Sequence, residues 1–199
     1  MKFLRIALLL PIALMLTVGG ACRRPEKKEE IPAGDYVHLP LGDEGLRLDF
    51  DGQNFAPKTG YENHPMVLVS WFGAKAYCEF YGWRLPSEIE WEKAARGMDE
   101  RIFPWGFAQP DCEMANFSKI KSEYNELGDI IFTEQCSGDT VAVDQFGAYR
   151  SPFGLYNMAG NVAEWVHDYY APDYYETSPE RNPRGLDQGE YRVLRGGAW

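Results

Sequence analysis

The chain has 199 residues, 45% hydrophobic and 15% aromatic, which is enough apolar material for one globular domain with a core. A net charge of −10, with no basic patch interleaved with aromatics, argues against nucleic acid as a partner. Its 20 glycines and 13 prolines point to much turn and loop relative to regular structure.

Residues 1–21 read as an export signal. Lys2 and Arg5 form a positive n-region, and the apolar stretch from Ile6 to Val18 is too short to span a bilayer comfortably. Gly19, Gly20 and Ala21 then lead into Cys22, which resembles a bacterial lipoprotein signal with Cys22 lipidated as the mature N-terminus. Gly19 stands where that motif prefers Leu, so ordinary signal cleavage is the alternative. Both readings place the protein in the bacterial cell envelope, on the periplasmic or cell-surface side. The first also makes the membrane a partner through the lipid on Cys22. Residues 22–30 are highly charged and lack apolar side chains after Cys22, as expected of a flexible tether. The domain is then expected over residues 31–199.

Tyr36–Leu39 and Leu46–Phe50 are strand-like, with a turn at Asp51-Gly52. Val67–Val69 reads as a short apolar strand ending at Ser70, a good helix N-cap. A helix follows over Phe72–Tyr81, with Ala74, Tyr77, Cys78 and Tyr81 on one face and Gly82 as its stop. Pro86 bars continuation, and a second helix begins at Ser87, where Glu90 completes a capping box, and ends at Gly97. Phe103-Pro104-Trp105-Gly106 reads as an aromatic turn, and residues 107–145 as a long, poorly periodic loop. Long ordered loops are commonly pinned by disulfides or cations.

Phe153 to Trp165 is the centre of the pattern. Phe153, Leu155, Met158, Val162 and Trp165 ask for burial, while Asn157, Asn161 and Glu164 are interleaved polar groups. Burying those costs free energy unless each finds a hydrogen bond or a cation. A buried irregular loop follows from this, not a helix or a strand. Beyond it, Tyr169–Gly189 reads as surface loop and Tyr191–Arg195 as a strand entering Gly196-Gly197-Ala198-Trp199. Ending on a strand, two glycines and a tryptophan suggests a domain that continues past Trp199. Trp71, Trp91, Trp105 and Trp165 are expected in the core. Arg84, Arg96, Arg192 and Arg195 are expected as structural ion-pair partners. His38, His64 and His167 have no zinc spacing, and no Gly-rich phosphate loop is present.

With Cys22 set aside, Cys78, Cys112 and Cys136 remain, an odd number that allows at most one bridge. Cys112 with Cys136, both in the loop-rich middle, is the expected pair. Three separate buried thiols is the alternative.

Four blocks stand in order: His64–Trp71; Ala76-Tyr77-Cys78 through Arg84–Ser87 to Glu90–Gly97; Phe103–Gly106; and Phe153–Trp165 followed by Arg192–Trp199. Together, over residues 60–199, they resemble the formylglycine-generating enzyme (sulfatase-modifying factor) domain family. The resemblance implies an α+β domain, compact and related to C-type lectins, with little regular structure. It also implies structural calcium. One site would take Asn157 and Glu164 through side chains and Gly160 and Val162 through carbonyls, all hard oxygen donors. A second would involve Asn116, Phe117 and, as acid, Asp129. Catalytic members oxidise a sulfatase cysteine to formylglycine with oxygen and copper held by two cysteines. By resemblance those lie beyond Trp199, and none of the four cysteines here matches them, so no catalytic residue is assigned. Copper is expected only where that pair is present. Two functions follow as expectations. The first is a non-catalytic scaffold displaying a surface to a protein or small-molecule ligand. The alternative is a formylglycine-generating oxidase whose cysteine pair lies in a longer protein.

Overall fold

The computed structural model describes residues 45–124 and 130–199. Among the described residues regular structure is sparse and mixed α+β: helices α1 (Trp71–Phe80), α2 (Glu88–Arg96) and the short α3 (Tyr174–Thr177), and six strands. The strands pair antiparallel two by two: β1 (Leu48–Phe50) with β2 (Phe55–Pro57), β3 (Ser118–Tyr124) with β4 (Ile130–Gln135), and β5 (Glu164–Tyr169) with β6 (Arg192–Arg195).

Both expected helices form for the expected reasons. The Ser70 hydroxyl accepts the Gly73 amide at the start of α1. At α2 the capping box is reciprocal, with the Ser87 hydroxyl taking the Glu90 amide and the Glu90 carboxylate taking the Ser87 amide. Gly97, at φ 71°, then terminates α2 in a backbone region open to glycine. Ser87→Ala is expected to lower stability by about 1 kcal/mol, read as a shift in the urea midpoint with an unchanged slope.

β5 organises the core because its two faces look into two clusters. Val166 packs with Trp91, Ala95, Met158 and Val193. Trp165 packs against Trp71, Cys78 and Leu85. Three indole N–H groups fasten this strand: Trp71 Nε1 donates to the Val166 carbonyl at 2.8 Å, Trp165 Nε1 to the Val69 carbonyl at 2.8 Å, and Trp91 Nε1 to Glu164 Oε2 at 2.7 Å. The rings of Trp71 and Trp91 are thus buried, and that of Trp165 partly so, each with its polar edge satisfied.

Several expectations are corrected. Val67–Val69 is irregular, with Leu68 at φ 59° and half exposed, and it pairs with no strand among the described residues. Residues 107–145 include the β3–β4 hairpin, whose largely polar Ser-Lys-Ile-Lys-Ser-Glu-Tyr strand hides its pairing in the sequence. Glu164 and Trp165 belong to β5, not to the loop before it. Phe153 is exposed, and Trp105 is half-buried, its ring stacked on Phe103 at 5.3 Å. Of the four arginines, Arg84 pairs with Glu90, Arg96 with Glu92, and Arg195 with Glu88 and Glu92. Arg192 instead lies between the rings of Trp71 and Tyr169, 3.5 and 3.4 Å from their centroids.

Candidate functional site

The segment from Leu155 to Val162 is irregular and inward-facing, with Met158, Gly160 and Asn161 buried. Left-handed backbone at Asn157 (φ 52°), Gly160 (φ 84°) and Asn161 (φ 68°) curls it too tightly for a helix or a strand. Side-chain amides then replace the missing ladder. Asn161, 1% exposed, takes the Val141 amide on Oδ1 at 2.9 Å and gives Nδ2 to the Val141 carbonyl at 3.1 Å. Asn157 Nδ2 donates to the Val143 carbonyl at 2.8 Å. Main-chain bonds complete the clamp, from Asn161 to the Asn116 carbonyl and from Gly160 to the Gly196 carbonyl, each at 2.7 Å.

Asn116 is equally committed. Nδ2 reaches the Asp139 carbonyl at 2.8 Å, and Oδ1 accepts the Ser137 hydroxyl at 2.7 Å. The Phe117 carbonyl accepts the Cys136 amide. Asp129 lies outside the described residues. The organising acid on this side is Asp139, which takes Arg47 at 2.5 Å, the Tyr61 hydroxyl at 2.6 Å and the Thr140 amide at 2.7 Å. Burial works against its charge, but these donors outweigh it and hold the carboxyl below the usual range. His64 belongs to the same layer, 2.8 Å from the Thr140 hydroxyl.

Glu164 is different. The residue is half-buried, and desolvation of its carboxyl pushes it up to about 7 against the opposing hydrogen bond from Trp91. Among the described residues that indole is its one side-chain donor, and no ion pair reaches it. Asn157, Gly160 and Val162 lie in the irregular segment and Glu164 at the start of β5, and of their oxygens the Gly160 carbonyl already accepts the Val162 amide at 3.0 Å. Asn157 spends its nitrogen on Val143, which leaves its oxygen unengaged by described residues. Among the described residues, no three His, Cys, Asp or Glu side chains gather as a metal-binding group.

Cys112 and Cys136 are bridged, with Cα atoms 5.1 Å apart, as expected. The limit of one bridge is corrected. Cys78 is fully buried and also disulfide-bonded, with its partner outside the described residues. Cys22 also lies outside them. Sequence reasoning missed the Asp139 hub and the acidic, tyrosine-walled cavity beside α2. Asp139 and Asp168 sit in stretches whose spacing signals nothing.

The fold and site define a loop-rich α+β domain whose central irregular segment is clamped by asparagine side chains and leads into a strand that opens on the half-buried Glu164. Residues 43–199 match the family described as sulfatase-modifying factor enzyme 1-like domain, and the chain belongs to that family. It is 42% identical over 143 residues to the serine/threonine-protein kinase pkn1 of Chlamydia caviae, covering 70% of this chain and 20% of that protein. It is 38% identical over 158 residues to the formylglycine-generating enzyme of Streptomyces coelicolor, covering 78% of this chain and 46% of the relative. It is 36% identical over 150 residues to the hercynine oxygenase of Mycolicibacterium smegmatis, covering 69% and 31%. The chain thus spans between a fifth and just under half of these relatives.

Proposed function

We propose that this chain is an exported domain of C-type-lectin-like fold that serves as a non-catalytic binding scaffold for a protein or small-molecule ligand. The observation that carries this reading is the state of the sulfur. Cys78, Cys112 and Cys136 are all committed to disulfides, so none of them offers a thiolate to copper. Disulfides also suit an oxidising compartment, in keeping with export. The test is oxygen consumption with a cysteine-containing sulfatase peptide and added copper. The scaffold reading expects no turnover and no tight copper uptake, and turnover with this chain alone overturns it.

Structural calcium fits the residues present. Asn157, Gly160, Val162 and Glu164 carry hard oxygens, of which the Gly160 carbonyl is already engaged, by the Val162 amide, and the half-buried Glu164 carboxyl lacks a cationic partner among the described residues. The cation would supply fixed positive charge to that carboxyl. The second proposed group is less open, since the oxygens of Asn116 and Phe117 already accept hydrogen bonds.

Attachment to the envelope membrane through a lipid on Cys22 is part of the proposal. It competes with disulfide formation, because Cys78 already draws on a second bridge and the chain has four cysteines. Intact mass of the protein recovered from bacterial membranes decides. A diacylglycerol adduct at Cys22 supports the anchor. Two disulfides and no adduct remove the anchor and leave export standing.

The relatives named formylglycine-generating enzyme and hercynine oxygenase favour a second reading, an oxidase in a longer protein that carries its own cysteine pair. The kinase name belongs to a protein of which this chain spans one fifth, and no Gly-rich phosphate loop occurs here.

A further inference from the structure

Beside the N-terminus of α2 lies a cavity of about 140 Å³, bounded by Glu88, Asp168 and the tyrosines at 169, 170, 174 and 175. A recess of about 150 Å³ holds one benzene-sized molecule, so this one admits a single small head group and not a chain of sugars. Asp168 is only 3% exposed. Its Oδ2 accepts the Glu88 amide at 2.8 Å. Oδ1 lies against the Gly185 backbone, where an added Cβ would meet it at 2.5 Å, and no described side chain donates a hydrogen bond to it. Asp168 has no ion pair in contact distance among the described residues, whereas Glu90 and Glu92 each have an arginine; the nearest cationic influence on it is Arg192, held on the Tyr169 ring.

Glu88 adds a second carboxylate. It accepts the Tyr175 hydroxyl at 2.9 Å and lies 3.4 Å from Arg195, which it shares with Glu92. The Tyr174 and Tyr175 rings meet edge to face at 5.2 Å, and the Tyr174 hydroxyl is fixed by the Gly185 amide at 3.0 Å. Negative oxygens set among aromatic walls attract a cation twice, through charge-assisted hydrogen bonds and through ring quadrupoles. Anions are repelled by the same carboxylates, and a neutral apolar group would strip water from them without return.

The geometry points to a binding site here for a small organic cation bearing N–H donors, a primary ammonium or guanidinium such as ends a lysine or arginine side chain. The inference is independent of the scaffold reading, since catalytic activity neither requires nor forbids it. The test is amide chemical-shift titration of the full ¹⁵N-labelled chain with n-butylammonium, with a capped Gly-Lys-Gly peptide and with neutral n-butanol. Saturable shifts at the Glu88 and Gly185 amides are expected with both cations and not with butanol. A tighter midpoint for the peptide assigns the site to a protein partner, and equal midpoints assign it to a free amine. Asp168→Asn keeps an oxygen for the Glu88 amide and is expected to weaken cation binding about tenfold. Should that variant fail to fold, Glu88→Gln carries the same test. Equal response to butanol, absence of saturation, or an unchanged midpoint in the folded variant overturns the site.

Discussion

With divalent cations chelated, the domain is expected to lose about 2.5 kcal/mol of unfolding free energy between pH 5 and pH 8 through Glu164 alone. The sign follows from proton counting. Burial holds the folded carboxyl at about 7, against 4.5 when exposed, so across that interval the native state binds more protons than the unfolded chain. Stability therefore falls as pH rises from 4.5 through 7. Asp168 is raised too, by burial first and then by the neighbouring Glu88 and Glu90 charges, and it adds a slope of the same sign. Asp51, Asp99 and Asp139 are held low, so their contributions are lost only at more acid pH. The difference between wild type and Glu164→Gln isolates the residue. The variant keeps an acceptor for Trp91 and should be flatter over pH 5–8 and more stable than wild type at pH 8. Urea titrations at five pH values in chelator measure both curves. Parallel curves would mean that Glu164 is ionised without difficulty. Repeating the series in excess calcium tests the ligand set. A bound cation favours the carboxylate, so the wild-type slope should vanish and its stability at pH 8 should rise with calcium concentration. Glu164→Gln should lose most of that rise.

The parts of this fold legible in the sequence are those written in local rules. Ser70, Ser87, Glu90 and Gly97 mark helix ends by their own chemistry, and all four do so here. Asp51 likewise makes its turn, accepting the Gln53 and Asn54 amides at 2.7 Å each. The central segment was legible as a problem, polar groups among apolar ones, but not in its solution. Nothing near Asn161 says that its amide will close on Val141, twenty positions away. The same holds for Asp139, whose partners Arg47 and Tyr61 lie 92 and 78 positions upstream. Phe153 shows the opposite failure. Its hydrophobicity asks for burial, but it follows Pro152, which packs against Gly97, and the chain turns outward there. Arg192 has the charge of an ion-pair partner, but two aromatic rings close over it before any carboxylate does.

Gly160→Ala is expected to cost roughly 3–6 kcal/mol, enough to unfold a domain of ordinary stability or bring it close to unfolding. A Cβ at this position would lie 2.3 Å from the Asn116 carbonyl oxygen and 3.0 Å from its carbon, both backbone atoms that cannot rotate aside. Moving Asn116 away would break the bond from the Asn161 amide and disturb the Asn116 side chain between Asp139 and Ser137. Moving Gly160 instead would break its own bond to the Gly196 carbonyl. Either retreat leaves buried polar groups unpaired. Left-handed strain is a separate term, since Gly160 sits at φ 84°. Gly154→Ala measures that term by itself, because Gly154 has nearly the same φ, 81°, with nothing within 4 Å of its added carbon. It should cost only about 1–2 kcal/mol. Both substitutions make the same change in the unfolded chain, so that contribution cancels between them. The remaining gap, read from urea unfolding of the two variants side by side, is the energy of the close approach between residues 160 and 116. Equal losses would mean that the clamp tolerates a methyl group, and that the central segment is held by its asparagine side chains alone.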